Sequence, residues 1–99
     1  MGQNASNNVL NKHPAMSMKM ESYIIDTIIE ESPKHSGSAE DISRAVSEKL
    51  KDQYGGLWNV IIIAKYRGFG LGQSGYALRG VKVYIQFTYT NHVYTVFPN

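Results

Sequence analysis

The sequence predicts an α+β domain in which two helices pack on one face of an antiparallel sheet of four to five strands. The first half of the chain holds two successive segments with apolar residues at helical spacing, and the second half holds segments with apolar residues at every second position. Because the helices precede the strands instead of alternating with them, we expect an antiparallel sheet with helices on one side. The 99 residues are enough for one compact core.

Residues 1–15 are predicted to form a flexible tail, and residues 16–99 the folded domain. The tail is rich in Asn, Gln and Ser, and such a segment buries too little apolar surface to offset the entropy lost on ordering. A short edge strand around Val9 to Ala15 stays open as an alternative. The sequence from Met1 to Ser6 matches the N-myristoylation pattern, which makes Gly2 a candidate lipidation site. One acyl chain gives only reversible attachment, so membrane binding is expected only if Gly2 is acylated.

Both helices carry start and stop signals. Ser17 is predicted to cap a first helix that ends near Glu31, because the residue before Pro33 is disfavoured in helical conformation. Ser38 opens a second helix as part of a capping box, and Gly55-Gly56 ends it. The wide apolar face of the first helix is formed by Met20, Tyr23, Ile24, Ile25, Ile28 and Ile29, and that of the second by Ile42, Ala45, Val46, Leu50 and Tyr54. Both helices are therefore expected to pack on the sheet.

Three strands of this sheet are predicted from the pattern of apolar residues in the second half of the chain. The segment Trp58 to Ala64 is apolar on both faces, so it is expected to be a central strand. A second strand runs from Val81 to Tyr89, and Thr90-Asn91-His92 is expected to turn the chain into a third. The sheet face away from the helices would then carry Ile61, Ile63, Tyr84, Tyr94 and Val96. No sequence remains to cover this face, which predicts self-association into a homodimer.

The residue inventory excludes several kinds of chemistry. There is no cysteine, so disulfides and thiolate sites are excluded, and His13, His35 and His92 lack metal-ligand spacing. The segment Gly70 to Gly75 fits G-x-G-x-x-G, but a strand rather than a helix follows it, which disfavours nucleotide binding. We therefore expect no enzymatic activity, no catalytic residue, no cofactor and no metal. The formal net charge of +2 is scattered, which argues against nucleic acid, and the absence of a signal-like segment favours the cytoplasm.

From about Met16 to Phe97 the chain resembles the small dimeric dynein light chains. The motifs that carry the resemblance are Met16-Ser17-Met18-Lys19-Met20, Asp41-Ile42, the stretch Tyr54-Gly55-Gly56-Leu57-Trp58-Asn59-Val60-Ile61, Phe69-Gly70, and the aromatic end with Phe87, Tyr89 and Val93. Glu40 stands where the family has a lysine, and Asn59 where it has a histidine at the dimer interface.

The resemblance implies a dimer formed by sheet packing, in which one strand crosses to the other subunit. It further implies that a partner peptide adds as an antiparallel strand beside Phe69-Gly70, in a groove also lined by the second helix. Peptide-binding residues would be Phe69, Gly70, Leu71, Phe87 and Tyr89, and interface residues Trp58, Asn59, Ile61, Ile63 and Tyr84.

The function implied by this resemblance is a non-enzymatic hub in a microtubule motor complex. Its partners would be dynein intermediate chain or other disordered segments, in the cytoplasm and on the cytoskeleton, including the axoneme of a cilium or flagellum. The alternative is a dedicated structural subunit of axonemal or membrane-associated dynein with reduced peptide-binding ability.

Overall fold

The computed structural model describes residues 9–36, 38–64, 80 and 83–99. In chain order the elements are strand β1 (Val9–Lys12), helix α1 (Met18–Glu31), a 3-10 turn (Ser32–His35), helix α2 (Ala39–Tyr54), and strands β2 (Trp58–Ala64), β3 (Ile85–Tyr89) and β4 (His92–Pro98). The four strands form one antiparallel sheet in the order β1-β3-β4-β2. The predicted architecture of two helices on a four-stranded antiparallel sheet is confirmed.

The helix boundaries follow the predicted caps. The Ser17 hydroxyl accepts a hydrogen bond from the Met20 amide at 3.0 Å, and the Ser38 hydroxyl accepts one from the Asp41 amide at 3.2 Å. α2 ends at Gly55, whose φ of 79° lies in the region that side-chain-bearing residues avoid. Each serine satisfies a backbone amide that the first turn of a helix leaves without a partner.

β1 lies within the segment that the composition predicts to be a tail. It pairs with β3, and the Lys12 ammonium contacts the Glu21 carboxylate of α1 at 2.7 Å. Met16, at the entry to α1, is buried in the core. The edge-strand alternative for this segment is therefore the one that the structure supports.

The core lies between the helices and the sheet. It comprises Met16, Ile24, Ile25, Ile28, Ile42, Val46, Leu50, Trp58, Ile85, Phe87, Tyr94 and Val96, with Val60 and Ile62 packed against it. Neither described helix is long and apolar enough to cross a bilayer. The helix faces predicted from the apolar spacing are thus the faces that pack.

β2 is the last strand of the described sheet, and its prediction as a central strand stays a prediction because residues 65–79, which follow it, lie outside the described residues. One side of β2 pairs with β4 from Trp58 opposite Pro98 to Ala64 opposite His92, while β3 occupies the other side of β4. The residues of β2 after Trp58 are only half-buried. Their apolar character reflects contact with α2 on one face of the strand, without a second neighbouring strand among the described residues.

The β3–β4 turn corrects the predicted sheet faces. It contains two residues, Thr90 and Asn91, with φ of 46° and 65°, as in a type I′ turn. Tyr89 therefore pairs with His92, and the register places Tyr94 and Val96 opposite Phe87 and Ile85. Tyr94 and Val96 consequently lie on the helix side of the sheet. Their prediction on the opposite face is wrong. The strand predicted from Val81 begins at Ile85.

The face away from the helices has a different composition from the predicted one. It carries Gln86, Val93, Thr95 and Phe97, all buried within the single chain, and Ile61 and Ile63, which are half-buried. The Gln86 amide donates to the Thr95 hydroxyl at 3.0 Å. The partly exposed apolar residues on this face that could favour self-association are therefore those of β2.

Candidate functional site

Two adjoining cavities of about 260 and 140 Å³ lie where the 3-10 turn, the start of α2 and the β3–β4 hairpin meet. Both are lined by Ile42, His92 and Tyr94. The larger is also lined by Ser32, Pro33, Ser36, Tyr89 and Thr90, and the smaller by Ser38, Ala39 and Ile62. Since they share three residues, we treat them as one feature, the hairpin groove.

Tyr94 forms the floor of the hairpin groove. Its ring stacks on Phe87 with centroids 5.5 Å apart and an interplanar angle of 16°. Its hydroxyl lies 3.0 Å from that of Ser32, at the start of the 3-10 turn. Burial raises the pKa of Tyr94, with the Ser32 hydrogen bond opposing the shift, so the phenol is neutral at physiological pH. The floor is accordingly an uncharged aromatic surface held at both ends.

A buried carboxylate fixes the 3-10 turn that forms one wall. The Glu31 side chain is 6% exposed. Its carboxylate oxygens lie 2.9 Å from Nζ of Lys49 on α2, 3.4 Å from Nζ of Lys34 and 3.3 Å from Nε2 of His35. The Lys49 hydrogen bond lowers the pKa of Glu31 despite the opposing effect of burial, and Glu31 in turn raises the pKa of Lys49. The cluster therefore ties the end of α1 and the 3-10 turn to α2.

The smaller cavity reaches the edge of the sheet. Ile62 belongs to β2, and on the opposite side of this cavity Ser38 and Ala39 form the start of α2. The outer side of β2 has no neighbouring strand among the described residues. An edge strand presents backbone donors and acceptors to an incoming chain. An extended segment that pairs with this side of the sheet would therefore lie next to the groove.

The predicted peptide-binding residues lie in different parts of the structure. Tyr89 lines the hairpin groove. Phe87 is 1% exposed and lies beneath Tyr94, so it supports the floor instead of forming its surface. Phe69, Gly70 and Leu71 lie outside the described residues, as does the candidate lipidation site Gly2, and their roles stay predictions.

The five predicted interface residues do not form one surface. Trp58 is a core residue on the helix side, and its indole N–H donates to the Gly55 carbonyl at 3.1 Å. Asn59, Ile61 and Ile63 point away from the helices on β2. Tyr84 lies near β1, at the opposite edge of the sheet, with its ring 5.4 Å from that of His13. Only the three β2 residues form a continuous patch.

The sequence did not predict that four main groove residues lie together in one site. These residues are Ser32, Ile42, His92 and Tyr94. The signal available was the turn, because a two-residue loop fixes which residue of β4 faces Phe87. Among the described residues, no group of three or more His, Asp or Glu side chains is arranged to hold a metal ion. The groove has an aromatic floor formed by Tyr94.

No protein-family model matches the chain, and no curated protein matches it. Solved structures are similar, however. The dynein light chain-like domain of the Fasciola hepatica calcium binding protein FhCaBP2 aligns with a TM-score of 0.66 at 15% identity, covering 93% of this chain and 89% of that one. Its mercury derivative gives a TM-score of 0.64 at 16% identity, with coverages of 92% and 89%.

The dynein light chain-like domain of CsTAL3 aligns with a TM-score of 0.66 at 18% identity, covering 92% of this chain and 90% of that one. These likenesses cover about nine tenths of each chain. The chain therefore has the fold of a dynein light chain-like domain.

Proposed function

We propose that the protein is a non-enzymatic adaptor that binds short extended peptides by β-strand addition on the β2 side of its sheet. The observation that carries the proposal is the hairpin groove, which extends from the 3-10 turn to Ile62 on edge strand β2. In strand addition the sheet edge supplies backbone hydrogen bonds, while adjacent pockets receive alternate side chains and give selectivity. The predicted strand neighbour of the peptide is the segment at Phe69-Gly70.

The partner class is a disordered chain segment, with dynein intermediate chain as the named candidate in a microtubule motor complex. The dynein light chain-like fold supports this class. A dedicated dynein subunit with reduced peptide-binding ability is the alternative, and the number of unrelated segments captured distinguishes the two. A hub binds many, whereas a dedicated subunit binds few or none.

The test of peptide binding is a screen of arrayed 15-residue segments from disordered proteins, including dynein intermediate chains, against the purified chain. Ala39→Trp places a large ring in the smaller cavity. It is expected to reduce the affinity for every captured peptide by about tenfold or more. Asp52→Trp, at an exposed site on the same helix that lines none of the groove, is the matched control and should bind as the parent does. Equal binding by the two variants would place the site elsewhere.

We also propose a homodimer that brings two grooves together, which would increase avidity for a partner that carries two copies of a segment. Its support is the seven-residue edge strand β2, on which Ile61 and Ile63 face away from the helices. A second chain that packs on this face of β2 would bury both side chains.

Sedimentation velocity at micromolar concentration is expected to give the mass of two chains for the parent protein and of one chain for Ile61→Lys/Ile63→Lys. Two charges on the patch must be desolvated before a second copy can cover it, which opposes assembly. Thr88→Lys, on the same face but on β3, is the control and should stay dimeric. Monomeric parent protein under these conditions would contradict the dimer.

A further inference from the structure

The polar atoms of the hairpin groove differ in how firmly their hydrogen-bonding roles are set. The Ser32 and Tyr94 hydroxyls bond to each other, the Ser38 hydroxyl accepts from the Asp41 amide, and the Thr90 hydroxyl donates to the Tyr89 carbonyl. The remaining hydroxyls can rotate and therefore donate or accept as a ligand requires. An imidazole nitrogen has no such freedom, so His92 is the groove residue that can impose a choice.

The β3–β4 turn sets the tautomer of His92. Its Nδ1 lies 2.9 Å from the Thr90 carbonyl oxygen, and since a carbonyl oxygen only accepts, Nδ1 carries the proton. In the neutral ring Nε2 is then an acceptor, and it has no hydrogen-bond partner within the described part of the chain. Thr90 is a β-branched residue at φ 46°, a costly conformation that the paired strands on both sides hold in place.

We propose that His92 is a specificity-determining residue of the hairpin groove, which selects a partner side chain that donates a hydrogen bond. This inference rests on the proposed peptide binding. His92 lines both cavities together with Tyr94 and Ile42, so its imidazole borders the space that a bound side chain would occupy. Asn, Gln, Ser, Thr or Lys would satisfy the acceptor, whereas Asp or Glu would place a second acceptor against it.

The charge at the neighbouring helix start favours the same choice. Glu40 and Asp41 follow directly after the groove residues Ser38 and Ala39, and only Arg44 pairs with them in the described chain, leaving the turn with a surplus negative charge. A carboxylate in the partner would be repelled by this surplus, while a neutral donor or an ammonium would not. Two independent features thus disfavour an acidic side chain at one position of the bound segment.

The experiment is a selection from a random 12-residue peptide phage library on the immobilised full chain at pH 8, where histidine side chains are ordinarily neutral. The same selection is made on His92→Phe, which cannot accept, on His92→Gln, which can both accept and donate, and on His13→Phe, a control outside the groove. Circular dichroism confirms that each variant is folded. The selected consensus is then synthesised with Asn and with its isostere Asp at the enriched position, and both peptides are titrated calorimetrically.

With the parent chain and with His13→Phe, we expect enrichment of donors at one position and binding of the Asn peptide at least about fivefold tighter than the Asp peptide. With His92→Phe and with His92→Gln the ratio should fall to below about twofold, because the obligatory acceptor is gone. Peptides that bind but show the same preference on all four proteins would overturn the role of His92. If no peptide is enriched on any of them, the proposed peptide binding itself has failed.

Discussion

Phe87→Ala is expected to reduce the free energy of unfolding by about 3–5 kcal/mol, the range for deleting a fully buried aromatic ring. The ring is 1% exposed and stacks on Tyr94, so its removal leaves a cavity between the sheet and the helices. For a domain of this size the loss is a large part of the total stability. Equilibrium urea unfolding, followed by far-ultraviolet circular dichroism, measures it.

Phe87→Leu is the matched control, because it keeps most of the apolar volume while removing the aromatic stack. A cost of about 1–2 kcal/mol is expected for it. If Phe87→Ala costs no more than Phe87→Leu, the ring does not occupy the core as described. The pair also tests the groove, since Tyr94 loses its support only when the cavity forms.

The second large effect is expected for Glu31→Gln, which should cost about 1–3 kcal/mol at pH 7. The substitution keeps the shape of the side chain but removes the charge that Lys49, Lys34 and His35 contact. Glu30→Gln is a close control, since Glu30 contacts the same two lysines but its side chain is 59% exposed. Exposed ion pairs contribute little, so Glu30→Gln should change stability by less than about 0.5 kcal/mol.

The cost of Glu31→Gln is expected to depend on pH in one direction. Because the Lys49 hydrogen bond holds the pKa of Glu31 below its usual value, the folded state favours the ionised carboxylate. Its contribution is complete above the pKa of an unfolded glutamate, about 4.3, and is lost as the pH falls through the lowered folded value. The difference between parent and variant should therefore be present at pH 7 and shrink below about pH 4. Urea unfolding that gave as large a difference at pH 3 as at pH 7 would contradict the assigned role of the carboxylate.

The helices could be predicted from the sequence because their signals are local. Ser17, Ser38 and Gly55 act within one helical turn of the residues that they cap, and the apolar spacing of each helix repeats several times. Each such signal can be recognised without knowing the rest of the fold. The sheet offers no equivalent local signal for neighbour order, so the continuous apolar run of β2 predicts burial without identifying its neighbouring strands.

The predicted sheet faces depend on the number of residues assigned to the β3–β4 turn. Assigning three residues instead of two to the β3–β4 turn moves every later side chain to the opposite face, since side chains in a strand alternate. Tyr94 was thereby predicted on the far side, although it forms the groove floor. Tyr89 precedes the turn, so the turn length does not change the face on which it lies. The groove as a whole unites residues 32 to 94, a contact that no local pattern encodes.

The left-handed residues of the β3–β4 turn also bear on the order of folding events. Thr90 and Asn91 both have positive φ without being glycine, so the isolated hairpin is a poor nucleus and gains little from forming early. α1 and α2 are joined by a short connection and contact each other directly, which makes their pairing a local event. We therefore infer that the two helices pack together first and that β3 and β4 pair later against them. The groove would then be among the last parts of the molecule to form.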